Sequence, residues 1–176
     1  MNQPAQPILQ IINDLVPEEV RADAWAHLMP GQWQFGSGST SSGAQRFWHM
    51  DLNGVDVFDE IWELAQPMCE QVAGRKLRVI RQYANGHTYG LGGGVHTDDS
   101  RPGTHTLLYY PMPEWVRDWE GDTVYYTAAG EVYASVLPAP NRAVLFDARI
   151  PHHGRAPSRL FTGLRVTVAF KLEAAP

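Results

Sequence analysis

His96-Thr97-Asp98 and the distant Ile150-Pro151-His152-His153 are the stretches of this chain best suited to hold a metal ion. On an extended strand successive side chains alternate between faces, so a histidine and a carboxylate two residues apart point the same way. One further histidine completes a face of two neutral imidazoles and one carboxylate. That donor set leaves adjacent coordination positions open and suits a non-haem Fe(II) centre. His96 and Asp98 follow the glycine-rich Gly90-Leu91-Gly92-Gly93-Gly94, the placement expected of a site at a barrel mouth. The plainer role for the same residues is a surface turn in which Asp98 or Asp99 caps the backbone.

Positioning such a face calls for a sheet. Residues 77–83, 104–110, 123–126, 131–137, 142–146 and 164–171 are short runs rich in β-branched and aromatic residues, separated by Gly, Pro and Asn, and read as strands. Before them, Val57, Phe58, Ile61, Trp62, Leu64, Ala65, Met68, Cys69 and Val72 form an apolar stripe ending at Gly74, which predicts a helix with a glycine cap. Apolar residues at helical spacing over 7–29, interrupted by Pro17, predict two short helices, and 33–35 reads as a strand entering a Gly/Ser-rich loop over 36–43. The expectation is a mainly β fold with N-terminal helices: a small antiparallel sandwich or jelly roll with the helices packed on one sheet. It forms a single domain over 1–176, divided into a helical support region (1–76) and a β core (77–172).

Bulk properties narrow the function classes. A net charge of -5 offers no basic footprint for a phosphate backbone, so nucleic acid is not an expected partner. One cysteine, Cys69, excludes an internal disulfide and a thiolate zinc cluster, and on its apolar stripe it reads as a buried thiol. No run approaches the roughly 20 apolar residues of a membrane span, and the first 20 residues lack the basic start of a signal peptide. A cytoplasmic protein is expected.

Six residues past Phe146, at the end of the apolar run Ala143-Val144-Leu145-Phe146-Asp147, comes His152, and Arg165 follows on the last predicted strand. With His96-x-Asp98 upstream, this pattern resembles the Fe(II)/2-oxoglutarate-dependent oxygenases, specifically their prolyl-hydroxylase-like branch. Residues 78–83, the Leu108-Tyr109-Tyr110 strand and the Trp119-Glu120-Gly121-Asp122-Thr123 turn also resemble segments of that family, and the likeness covers about 77–172. The spacing of 13 from His152 to Arg165 is slightly longer than the family's usual one.

The resemblance implies a double-stranded β-helix, or cupin-like jelly roll, in which His96, Asp98 and His152 hold Fe(II) and Arg165 receives the far carboxylate of 2-oxoglutarate. Arg165 suits that task as a planar, permanently charged fork, and a buried arginine needs an anionic partner. Tyr110 is implied as a second contact to the cosubstrate, and Tyr83 as a further candidate; either tyrosine can instead fill core space. The implied reaction hydroxylates an unactivated C–H bond of a small molecule or amino-acid residue with dioxygen, releasing succinate and CO2, with ascorbate as an optional reductant. Asp98 stands where halogenating relatives carry a small residue, so hydroxylation is favoured, with desaturation or ring closure open.

His152 and His153 cannot both face the site unless the backbone bulges. The distance from Phe146 and the preceding Pro151 favour His152; counting back from Pro157 favours His153. His27, His49, His87 and His105 lack such context and read as structural or exposed. Residues 85–94 read as a loop, either a lid or a plain connection. Trp48, Trp115, Trp119 and Arg149 either line an entrance or pack. Two other classes fit the same ligands: a cupin-like module binding a metal or small ligand, and a non-oxidative metal enzyme. A pure ligand-binding barrel has no need of Arg165 and Tyr110 opposite the metal.

Overall fold

The computed structural model describes residues 8–39 and 45–176. In chain order its elements are β1 (Leu9–Ile12), α1 (Glu18–Leu28), β2 (Gln34–Ser37), β3 (Phe47–Asp51), α2 (Asp56–Ala73), β4 (Leu77–His87), β5 (His105–Tyr110), β6 (Thr123–Tyr126), β7 (Val132–Val136), β8 (Arg142–Asp147), β9 (His152–Gly154) and β10 (Arg165–Ala174). The chain is mainly β, with two helices. A seven-stranded sheet runs β1-β8-β5-β10-β4-β3-β2 and a three-stranded sheet runs β7-β6-β9, all pairings antiparallel.

Strand alternation on β10 sorts the interior into two halves. Val166, Val168, Phe170 and Leu172 face the helices, where they pack with Phe58, Ile61, Ala65 and Cys69 of α2 and Val20, Ala24 and Leu28 of α1. The buried positions of α2 recur every three to four residues, which is why its apolar stripe forms a helix on this sheet. Gly74 ends it at φ 66°, the left-handed conformation that glycine adopts without a steric penalty. On the other face of β10, Ala169 joins Tyr110 and Leu108 of β5, Phe146 and Val144 of β8, and Tyr125 and Val136 of the small sheet. Arg165, Thr167 and Lys171 on that face line a cavity together with Ala169.

Three expectations are corrected. The first of the two helices expected over 7–29 is β1, which pairs with β8 from Leu9↔Phe146 to Ile12↔Ala143 and covers that strand's free edge. Position 7 of that range, and 40–44 of the Gly/Ser-rich stretch, lie outside the described residues. The loop expected over 85–94 begins later, because Asn85, Gly86 and His87 continue β4, with β10 pairing all three and β3 the first two. Finally, β1 and β3 join the expected strand at 33–35, which is β2, so the region expected as helical support supplies sheet as well as helix.

Candidate metal centre and its cavities

The two histidine-bearing segments are joined by backbone. His96 N–H donates to His152 O at 3.0 Å and His152 N–H to His96 O at 2.8 Å, an isolated antiparallel bridge outside the main ladders. Asp98 N–H is held by Ala148 O at 2.9 Å. These bonds bring one ligand atom from each of His96, Asp98 and His152 to within 4.8 Å of one another. His153 points elsewhere, its ring stacked on Tyr126 and its Nδ1 3.2 Å from the Tyr126 hydroxyl.

The imidazoles are oriented for a metal. Each Nδ1 lies 2.9 Å from a backbone carbonyl, His96 on Gly94 O and His152 on Ile150 O, which assigns the proton to Nδ1 and leaves Nε2 as a lone-pair donor. The two Nε2 atoms face Asp98, at 3.3 Å from Oδ1 for His96 and 3.6 Å from Oδ2 for His152. Burial is the largest influence on His152 and, only partly offset by Asp98, brings its pKa down to about 4, so the ring is neutral at pH 7. Burial pushes the Asp98 carboxyl up, but Lys171, His96 and His152 outweigh it and hold the group well below the usual carboxylate range. Two imidazole nitrogens and one carboxylate on one face fit a divalent first-row metal.

Lys171 and Thr106 complete the surroundings of the carboxylate. Lys171 forms an ion pair with Asp98 Oδ2, and Thr106 Oγ1 donates to the same oxygen at 2.7 Å. The Lys171 side chain is 16% exposed and lies over Tyr83, 5.6 Å from the ring centroid. Sequence reasoning missed this lysine because only the register of β10 against β5 brings it to Asp98.

Arg165 occupies the other end of the same cavity, at 1% exposure. Its Nη2 donates to Thr123 Oγ1 at 3.1 Å, its Nη1 approaches His87 Nδ1 at 3.2 Å, and its Nε donates to Gly121 O. No carboxylate lies within 4 Å of it among the described residues. Tyr110 sits beside it, with the ring centroid 5.7 Å from the guanidinium carbon and the hydroxyl 2.8 Å from Thr123 Oγ1. Thr123 therefore ties the expected pair together. Tyr83 stands across from Ala169, nearer to Lys171 than to Arg165 along the register. Two buried polar atoms near this end, His87 Nε2 and the Tyr125 hydroxyl, have no hydrogen-bond partner among the described residues.

Other candidates fall away from this cavity. Trp115 and Trp119 pack with Phe161, at centroid distances of 4.7 and 4.8 Å. Trp48 packs on Phe35, and Arg149 pairs with Asp147 at 2.6 Å. The glycine-rich loop is pinned, since Gly93 N–H donates to Gly154 O at 2.9 Å and a Cβ at Gly92 would come 2.8 Å from Ala156 N.

Solved structures match the chain along nearly its whole length. The non-haem alpha-ketoglutarate-dependent epimerase SnoN of nogalamycin biosynthesis aligns at TM-score 0.76 and 14% identity, over 95% of this chain and 76% of its own. A prolyl hydroxylase in complex with a hypoxia-inducible-factor oxygen degradation domain peptide fragment from Trichoplax adhaerens aligns at 0.69 and 17%, over 94% and 83%. The chain has the fold of the 2-oxoglutarate/Fe(II) oxygenases. HygX from Streptomyces hygroscopicus, solved with nickel, 2-oxoglutarate and hygromycin B bound, aligns at 0.73 and 11%, over 95% and 83%. No protein-family model matches the sequence, and neither does any curated protein.

Proposed function

We propose that this protein is an Fe(II)- and 2-oxoglutarate-dependent dioxygenase that hydroxylates an unactivated C–H bond of a small molecule or an amino-acid residue. The observation that carries the proposal is Arg165: a fully buried guanidinium without a carboxylate partner among the described residues, in a cavity it shares with a two-histidine, one-carboxylate face. A buried charge of this kind is costly until an anion meets it.

In this reading His96, Asp98 and His152 hold the metal through two Nε2 atoms and a carboxylate oxygen. Arg165 takes the distal carboxylate of 2-oxoglutarate in its fork. Thr123, fixed between Arg165 and the Tyr110 hydroxyl, orients that end of the cosubstrate, and Tyr83 walls the cavity between the two ends. Thr106 and Lys171 hold the Asp98 carboxylate in place. The chemistry such a centre supplies is activation of dioxygen coupled to conversion of 2-oxoglutarate to succinate and CO2, with ascorbate keeping iron reduced. The two sheets are read as a double-stranded β-helix with the helices on the larger sheet, forming one domain over 1–176 whose catalytic core is 77–172. No helix among the described residues is long and apolar enough to cross a membrane, and the one cysteine is a buried free thiol; both accord with a cytoplasmic enzyme.

The test is succinate formation from 2-oxoglutarate with Fe(II), ascorbate and air, compared with His96→Ala. The parent is expected to form succinate and the variant none. Absence of both succinate and metal-dependent 2-oxoglutarate binding in the parent would overturn the proposal in favour of a cupin-like carrier.

A further inference from the structure

Two cavities meet at the candidate metal face. The inner one, of about 40 Å³, reaches from His96 and Asp98 to Arg165. The outer one, of about 460 Å³, shares His96 and Asp98 with it and is walled by Arg81, Tyr83, Ile80 and Lys171. Its volume is in the range of small-molecule sites.

The charges on its wall are unbalanced. Arg81 of β4 and Lys171 of β10 are direct cross-strand partners, and both side chains line the outer cavity. Like charges directly opposite on neighbouring strands are destabilising. Lys171 is paired with Asp98, but Arg81 has no carboxylate within 4 Å among the described residues; its guanidinium carbon lies 4.6 Å above the Tyr83 ring. The other acid of the cavity, Asp99, is held by Arg101 at 2.8 Å. The register also slips here: Lys171 faces Arg81 while Leu172 faces Val79, so Ile80 is an extra residue. A bulge of this kind re-aims the neighbouring side chain and is frequent beside active sites.

We infer that the outer cavity receives a substrate carrying a carboxylate, which Arg81 grips with its planar fork, Lys171 being already committed to Asp98. The inference rests on the metal reading of His96, Asp98 and His152, because that reading makes the outer cavity the place of the group to be oxidised. The Tyr83 ring, with its centroid 4.6 Å from the guanidinium carbon, attracts the cation, and the planar fork suits a bidentate contact with a carboxylate. The substrate is thereby oriented with its acid at the Arg81 end and the remainder over the metal face.

The probe is benzoate, with benzamide as its neutral counterpart. Protein loaded with Mn(II) and saturated with N-oxalylglycine, an unreactive analogue of 2-oxoglutarate that fills the inner cavity, is titrated with each while proton relaxation of the ring is followed. Benzoate is expected to be relaxed more than benzamide by at least about fivefold, and Arg81→Gln to abolish that difference while Arg81→Lys keeps part of it. Arg81 is exposed, so folding of the variants is checked by superimposable melting curves. Equal relaxation of benzoate and benzamide, or an unchanged difference in Arg81→Gln, would overturn the inference alone. Displacement of benzoate by further N-oxalylglycine would overturn it too, by making Arg81 a cosubstrate contact. Failure of Mn(II) to enhance water-proton relaxation in a way that His96→Ala removes would overturn the metal reading, and the inference with it.

Discussion

Arg165 and Lys171 project from the same face of β10, with only Thr167 and Ala169 between them on that face. At strand spacing they are about 20 Å apart along the chain. One cation is matched by Asp98 and the other by no carboxylate among the described residues. A single strand thus supplies both ends of the inner cavity, and its opposite face, Val166 to Leu172, anchors it in the main core. The site inherits the rigidity of a strand paired on both sides within the larger sheet.

Replacing Arg165 by lysine keeps a positive charge but removes the fork. Its Thr123 and Gly121 contacts each use a different guanidinium nitrogen, so a single ammonium cannot keep both and meet a carboxylate bidentately. The KM for 2-oxoglutarate is expected to rise by about tenfold or more, equivalent to roughly 1.4 kcal/mol, with a smaller change in kcat. Steady-state succinate formation at varied 2-oxoglutarate measures this. A fall in kcat with KM unchanged would assign Arg165 to something other than holding the cosubstrate.

The adjacent histidines separate in a metal titration. His152 faces Asp98 with a neutral Nε2, whereas His153 is engaged with Tyr126. His152→Ala is expected to weaken Fe(II) binding by at least about a hundredfold, the upper end of what loss of a mere outer-shell partner costs. His153→Ala should bind Fe(II) close to the parent. Anaerobic competition against a chromophoric chelator gives both constants, and a reversed order would move the metal site to His153.

Much of this arrangement is legible before any coordinates. The α2 stripe and its glycine cap have one periodic interpretation, and β5, β6, β7, β8 and β10 are marked by β-branched and aromatic runs between turn residues, whereas the short β9 is not. His96 and Asp98 are marked by chemical type and spacing, although His96 lies in an isolated bridge and neither residue in a ladder; the choice of His152 over His153 rests on its distance from Phe146 and on the family resemblance. What is not legible depends on partners distant in sequence. Leu9, Ile12 and their neighbours satisfy helical spacing, and only the free edge of β8 makes them a strand. Asn85 and Gly86 have poor strand propensity, yet β3 and β10 hold them from both sides, and a Cβ at Gly86 would meet Leu164 at 2.8 Å. Lys171, at the end of the last expected strand, and His87, in the expected loop, are ordinary polar residues until the register sets them against Asp98 and Arg165.

Asn141 should prove a stability determinant away from the site. It holds φ 57°, a left-handed conformation that most side chains resist. Its amide donates to Val16 O at 2.6 Å, and its Oδ1 accepts from Val16 N–H and the Tyr109 hydroxyl, each at 3.2 Å. This ties the chain between β1 and α1 to the main sheet. Asn141→Ala strains the backbone and leaves buried groups unpaired, so a loss of about 2–4 kcal/mol is expected. Urea unfolding measures it; Asn141→Gly should recover only the backbone part.

His87 gives the fold an acid sensitivity of predictable sign. Burial, reinforced by the Arg165 charge, brings its pKa down to about 3, whereas in the unfolded chain it titrates near about 6.5. Between those values the unfolded chain holds a proton that the folded chain does not, so stability falls as pH is lowered through this window and levels off below it. His152 titrates in parallel, which makes the comparison between variants the informative quantity. In chelator, to keep metal binding out of the balance, the urea midpoint of the parent should fall more steeply from pH 6.5 to 4 than that of His87→Gln. Above pH 7 the two should differ by a constant amount, because His87 is neutral in both states there. The amide oxygen introduced by His87→Gln can still accept from Arg165, so the variant retains the contact while losing the titration. Parallel curves across the whole range would show that His87 takes up its proton equally readily in the folded and unfolded chains, against the lowering expected from its burial beside Arg165.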